Sequence, residues 1–580
     1  MKKDNKYNDI KYNDIKNNDI KYNDILKKLI DYSKDNIVPM HMPGAKRNNE
    51  LISAYMHDMP NPYAIDITEI DGFDNMHNAD GIIKKAFEKT AELYGADESL
   101  FLVNGSTAGN MSAICGVTNR QDTIIVARNC HVSVYNAIIL NELETIYVYP
   151  QYDAEYGYYK GISLEEIKST VEKNSDKDIK AVVITSPTYE GNVSDIKNIA
   201  DYLHGHNIPL IVDEAHGAHF KFSDEFPETA VEQGADIVIN SVHKTLPSLT
   251  QTAVMHINYG IVNVDKIKRY WNIYQSTSPS YILMGSIDRC MGIIEHHGDY
   301  LFEKYIDRLK KLRKNLSSLK NIKLIDSDDI SKIVIGCDSA KKLYDILLKV
   351  YGIQLEMSSL KYAIAMTSLF DSDEYYDRLY NALHEIDCNY YELMAGYHSV
   401  NNESSRVQQD VNNESLRGQQ GVNDEPSSGQ QGVNDETSDT KKNINIARFN
   451  NECAMSIAQA IKNGDDNGYD NIMLDDSSLY GRISAKMVYV YPPGIPILCP
   501  GEIISENVVD IIKNAIEAGL EVVGIESIHG DDIMSARELE SCWQISSERR
   551  TAITIAAIAA ESSVSTNRDI VNCIEQYTAK

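Results

Sequence analysis

Six short runs of apolar, mostly β-branched residues punctuate the first half of the chain: FLVNG (101–105), TIIVA (123–127), TIYVY (145–149), AVVIT (181–185), PLIVD (209–213) and DIVIN (236–240). The stretches between them have helical character. Such alternation predicts a mainly parallel sheet covered by helices on both faces. Ligands of these sheets sit beyond the carboxyl ends of the strands, and the polar motifs of this chain stand at those ends. Strand and helix signals alternate again in IVIGCDSAKKLYDILLKVYGIQLEM (333–357) and MVYVYPPGIPILCPGE (487–502), which read as two parts of one smaller domain.

Between these two parts the pattern disappears. Residues 400 to 439 repeat an eleven-residue unit (VNNESSRVQQD, VNNESLRGQQG, VNDEPSSGQQG, VNDETSD) with one or two apolar positions per copy, which predicts a disordered insertion. Residues 6 to 25 repeat a five-residue unit, KYNDI, that matches neither a helical nor a heptad period, and the helix LKKLIDYSK follows. This start reads as an appended arm.

Composition narrows the function classes. The 580 residues, 43% of them hydrophobic, are enough for two or three domains with sizeable cores. A formal net charge of −29 argues against nucleic acid or an anionic membrane as partner and is compatible with a small cationic substrate. Nine cysteines without a C-x-x-C pair or a His/Cys cluster predict neither a disulfide framework nor a metal site. The amino terminus lacks an apolar signal core, and AITIAAIAA is too short to span a bilayer, so a cytoplasmic protein is expected.

The candidate chemistry lies in four motifs. NGSTAGN (104–110) follows one strand and opens a helix, offering free N–H groups and the hydroxyls of Ser106 and Thr107 to a phosphate; read alone, it is also an ordinary helix cap. RNCHVS places His131 after the strand TIIVA, as a ring-stacking group or a plain rim residue. VDEAHGAH puts Asp213 at the end of PLIV, where a carboxylate can cap a helix or hold a ring nitrogen protonated. SVHKTLPSLTQTAV carries Lys244, 31 positions beyond Asp213, either a solvated cation or a partly desolvated amine able to form a Schiff base. Together these parts match the needs of one cofactor, pyridoxal 5′-phosphate (PLP).

From about residue 36 to about 525, the repeat insertion excepted, the chain resembles the Orn/Lys/Arg decarboxylases, PLP enzymes of the aspartate-aminotransferase fold, type I. The resemblance rests on nine motifs in order: HMPGAKR, DITEIDGFDNMHNADG, NGSTAGN, RNCHVS, SPTYEGNVSDI, VDEAHGAH, SVHKTLPSLTQTA, STSPSY and YPPGIPILCPGE. It implies an arm (1–35), a PLP-binding major domain (36–300), a smaller α/β C-terminal domain in two parts (301–397 and 443–525) around the insertion (398–442), and an unassigned tail (526–580).

By position, the resemblance makes Lys244 the Schiff-base lysine, Asp213 the partner of the pyridine nitrogen and His131 the residue stacked on the ring. Ser106, Thr107, Ser241 and His243 would hold the phosphate, with Ser276 reaching it from a second subunit of a dimer or larger oligomer. Ala215 and His216 would line the ring. Glu502 is expected to meet the distal cation of the substrate, the competing reading being a cap for the helix ENVVDIIKNAIEAG. Two positions depart from the family pattern: Ala45 stands where PGHK has its histidine, and Val132 where a lysine is common.

The activity so implied is decarboxylation of a basic amino acid in amine metabolism, arginine first, then lysine, then ornithine. An aminotransferase or another PLP lyase on the same fold is the alternative enzyme, and a catalytically silent binding or regulatory homologue the alternative of another class.

Overall fold

Each of the six β-branched runs forms a strand in the computed structural model, which describes Leu29 and residues 32–57, 61–394, 451–492, 494–528 and 552–558. The strands are β1 (Glu98–Leu102), β2 (Thr123–Ala127), β3 (Glu144–Val148), β4 (Ile179–Thr185), β5 (Leu210–Asp213) and β6 (Ile237–Asn240). FLVNG reaches into the next helix: the strand stops at Leu102, and Gly105 already opens helix α1 (Gly105–Val117). The runs are continuously apolar because helices cover both faces. Ile124, Ile125, Val126, Val182, Val183, Ile211 and Val212 have no solvent exposure.

A seventh strand, β7 (Ala253–Ile257), was not among the expected runs. Its AVMHI has Met and His between its two β-branched residues, and it inserts antiparallel between β1 and β6. The sheet order is β1-β7-β6-β5-β4-β2-β3, with every other neighbouring pair parallel. The parallel register brings the carboxyl ends of β2, β5 and β6 to one edge. Helix α2 (Val132–Leu140) leaves that edge after β2, and helix α3 (Ile196–His204) precedes β5.

A 36-residue helix, α4 (Tyr281–Leu316), leads out of the large sheet. It reaches four strands, β8 (Lys323–Ile325), β9 (Lys332–Gly336), β10 (Met357–Ser358) and β11 (Tyr362–Met366), paired in the order β8-β9-β11-β10. The segment Val38–Met40 pairs in parallel with Ile353–Leu355, tying the start of the fold to this region.

The stretch beyond the insertion forms further elements. Strands β12 (Val488–Val490), β13 (Ile495–Leu498) and β14 (Val522–Val523) make a sheet of their own, on which helix α5 (Glu506–Glu517) packs. They contribute mainly to a separate apolar cluster around Leu479, Val508 and Ile512, so the two flanks of the insertion pair in different sheets. The KYNDI repeats and the 400–439 repeats lie outside the described residues, as does the tail except for 526–528 and 552–558, which pair as antiparallel strands. Of LKKLIDYSK, Leu29 and residues 32–34 are described, and they are helical. No described helix is long and apolar enough to cross a membrane.

Candidate active site

Lys244 stands in the single helical turn Val242–Thr245 that follows β6. Its Nζ lies 3.0 Å from Nε2 of His216. Burial draws the amine below the ordinary lysine range; Asp213 and Glu356 oppose the shift, and Lys332 adds to it. Burial and then Lys244 push His216 well below the usual imidazole range, so its ring is neutral, with Nε2 at the Lys244 amine. The lysine is thereby held where its neutral, nucleophilic form is accessible.

Asp213 closes β5 with 3% of its surface exposed. Its Oδ2 accepts from Asn110 Nδ2 at 2.8 Å and its Oδ1 from the Ala215 amide at 3.1 Å. Asn110 Nδ2 also donates to Ser133 Oγ at 2.9 Å, and Ser133 Oγ lies 2.9 Å from His131 Nδ1. One short network therefore orients both Asp213 and His131. His131 occupies the N-cap of α2, its Nδ1 accepting from the Ser133 amide at 3.2 Å. Burial lowers its pKa, Asp213 opposes that, and Lys244 adds to it.

The turn at residues 104–107 is shaped for an anion. Gly105 has φ +74, a left-handed value that favours glycine, and from there the chain enters the 13-residue α1 with its first amides unpaired in the helix. Ser106 Oγ meets Ser241 Oγ at 2.6 Å. His243 donates from Nδ1 to the Thr252 carbonyl at 2.8 Å, and burial brings its pKa down to about 4.

These groups surround one cavity of about 500 Å³. Ser106, Thr107, His131, Asp213, Ala215, His216, Ser241, His243 and Lys244 all line it. Ser276 does not: it is exposed in its own chain, with its Oγ donating to the Ser278 carbonyl at 3.2 Å. Asn110, Tyr189, Glu190 and Glu356 line the cavity without having been singled out from the sequence. Asn110, Tyr189 and Glu190 were inside quoted motifs and could have been found there; Glu356, in GIQLEM, carried no local signal.

Glu502 is not at the cavity, and both expectations for it are corrected. Its carboxylate accepts from Arg128 Nε and Nη2 at 3.1 Å each, and from Asn451 Nδ2 and the Cys499 amide at 2.8 Å each. The carboxylate is 1% exposed, held by these donors and outside the cavity lining, so it is not placed to meet a substrate cation there. Nor does it cap α5, whose N-cap is Ser505, accepting from the Val508 amide.

The site fits PLP on its own chemistry. A buried lysine with a lowered pKa, a carboxylate fixed at a strand end and a helix-opening turn with paired hydroxyls converge on one cavity.

Residues 24–343 match the model of the Orn/Lys/Arg decarboxylase major domain, and residues 440–539 that of the Orn/Lys/Arg decarboxylase C-terminal domain. The chain is similar to arginine decarboxylase of Bacillus subtilis, at 30% identity over 507 residues, covering 84% of this chain and 92% of that protein. It is similar to arginine decarboxylase of Bacillus anthracis at 28% identity over 515 residues, covering 86% and 94%. Among solved structures its fold is similar to that of Francisella novicida lysine decarboxylase, with a TM-score of 0.66 at 20% identity, covering 92% of this chain and 80% of that one.

Proposed function

The chain belongs to the Orn/Lys/Arg decarboxylase family of PLP-dependent enzymes, and on that premise we propose that it decarboxylates a basic amino acid in amine metabolism, with arginine the favoured substrate, lysine next and ornithine third. The observation that carries the reading is the convergence of Lys244, Asp213, His131 and the 104–107 turn on one cavity. Arginine ranks first because the relatives that match over most of both chains bear that name.

When bound, PLP supplies the electron sink for the pair left behind by departing CO2. Ser106, Thr107, Ser241 and His243 would hold its phosphate, the first two with amides at the positive end of α1. Asp213, locked by Asn110 and the Ala215 amide, would keep the ring nitrogen protonated through a charge-assisted hydrogen bond. His131 would lie on the ring face, its orientation set by Ser133. Burial draws the Lys244 amine toward its neutral form, and its 3.0 Å approach to His216 Nε2 gives a proton on Nζ a place to be shared. The tyrosines of the wall, among them Tyr158, Tyr159 and Tyr189, would restrict water around the substrate.

The proposal includes a cytoplasmic homodimer, or a larger oligomer, in which Ser276 completes the phosphate site of the partner. It retains the division into a major domain and a two-part C-terminal region. Incubating purified holoenzyme with arginine, lysine and ornithine in turn tests the activity: CO2 with agmatine, cadaverine or putrescine supports it, whereas a keto acid product assigns an aminotransferase instead.

A further inference from the structure

A basic substrate brings a second cation into the cavity, and leaving that charge buried without a partner is costly. The wall must supply a carboxylate. Three line it: Asp213, Glu190 and Glu356.

Asp213 is committed to Asn110 and the Ala215 amide at the strand end. Glu190 is 6% exposed, accepts from the Tyr362 hydroxyl at 2.6 Å, and is shifted by burial toward its neutral form. Glu356 differs from both. It is half-buried, with Oε1 accepting from the Tyr189 hydroxyl at 2.5 Å and Oε2 from the Met42 amide at 2.8 Å. Two of its roughly four acceptor sites stay open.

Its cationic neighbours are engaged elsewhere. Lys46 donates to the Pro39, His41 and Met366 carbonyls, and Lys332 lies 3.7 Å from Asp329. Lys244 is held at His216, and His41 Nδ1 is bonded to the Met42 carbonyl. Among the described residues, Glu356 forms no salt bridge within 4.0 Å.

A continuous wall joins Glu356 to the reacting amine. Lys244 meets His216, the His216 ring packs edge-on against Tyr189 with centroids 4.6 Å apart, and Tyr189 donates to Glu356. A substrate whose amine end is at Lys244 and whose side chain follows this wall ends at that carboxylate. We propose that Glu356 receives the distal guanidinium or ammonium of the substrate, with Tyr189 fixing the orientation of its carboxylate, an assignment that rests on the decarboxylase reading above.

The test uses holoenzyme and three variants, Glu356→Gln, Glu356→Asp and Tyr189→Phe. Glu356→Gln is expected to raise KM for the best basic amino acid on the order of 100-fold, with kcat changed far less. Its loading of PLP on Lys244, read by absorbance and borohydride labelling, stays as in the parent. Norleucine, which lacks the cation, is processed no worse by Glu356→Gln than by the parent. Glu356→Asp recovers part of the affinity, and Tyr189→Phe gives a smaller rise in KM, which keeps the test alive should Glu356→Gln fold poorly.

An unchanged KM in Glu356→Gln, or the same selective loss in Glu190→Gln alone, overturns the assignment. Failure of the decarboxylase reading is seen separately, as a parent enzyme that releases no amine from any basic amino acid. Calorimetric titration with L-arginine and L-lysine then still decides the role of Glu356: binding by the parent and not by Glu356→Gln supports it, and equal binding overturns it.

Discussion

Arg128 and Glu502, 374 positions apart in the chain, form a two-pronged ion pair with 0% and 1% of their side chains exposed. Arg128 sits three residues before His131, and Glu502 ends the segment that carries Gly494 over the His131 ring. Arg128 also donates to the Pro496 carbonyl at 2.6 Å and to that of Ile497 at 3.3 Å. The pair thus fastens Gly494 and β13 to the segment after β2 that bears His131.

Removing one partner leaves the other charged and buried, at a cost of about 3–5 kcal/mol. Glu502→Gln is therefore expected to lower the urea midpoint sharply while leaving the preference among arginine, lysine and ornithine unaltered. Denaturation curves together with kcat/KM for the three substrates check this. A changed preference at unchanged stability would return Glu502 to the substrate.

Gly494 is the next test of the same contact. Its φ is +84, and a β-carbon there would come within 3.3 Å of Cδ2 and 3.4 Å of Nε2 of His131. Its carbonyl accepts from the Val132 amide at 3.2 Å. Gly494→Val combines backbone strain of about 1–2 kcal/mol with pressure on the ring. Turnover is expected to fall about tenfold or more, with the circular dichroism spectrum retained. Gly494→Ala is expected to show the milder form of both effects.

The Asp213 network has graded consequences. Asp213→Ala should still load cofactor on Lys244, detectable as a pyridoxyl peptide after borohydride reduction, while turnover falls about 10³-fold or more. Asn110→Ala removes one donor to Asp213 and the link to Ser133, and a loss of about tenfold is expected. Single-turnover rates measured on fully loaded protein check both. Near-parental rates in Asp213→Ala would remove this carboxylate from the cofactor site.

His256 makes stability depend on pH. Buried in β7, with Nδ1 2.7 Å from Ser99 Oγ and its ring 4.3 Å from that of Tyr94, it is brought down to about 3 by burial alone. The folded state keeps it neutral, whereas the unfolded chain protonates it near the ordinary imidazole value of 6.5. Its contribution is complete above pH 6.5 and shrinks as the pH falls toward about 3, by about 1.4 kcal/mol per unit. Urea midpoints at pH 7, 6 and 5 should fall more steeply for the parent than for His256→Phe.

Much of the site was legible in the residues themselves. Continuous β-branched runs reveal strands buried on both faces, and punctuation by Gly, Ser and Asp marks the ends where polar groups collect. Ser106, Thr107, His131, Asp213, Ser241, His243 and Lys244 accordingly line one cavity. AVMHI escaped because Met255 and His256 interrupt its apolar β-branched positions, and so short a run does not by itself separate strand from buried helix.

The sequence by itself determined the strand runs, the polar motifs at their ends and the identity of the residues that converge around Lys244. Tertiary structure alone decided how the two flanks of the insertion pair, which network orients His131, and which carboxylate is free to meet a cation. Glu502 and Glu356 are the same residue type, and chemistry read along the chain cannot tell them apart. Glu502 is buried against Arg128, Asn451 and the Cys499 amide away from the cavity, while Glu356 lines the cavity with one hydrogen bond to each carboxylate oxygen. Periodicity is a local property of the chain, but the occupancy of a carboxylate depends on donors that only folding brings within hydrogen-bonding distance.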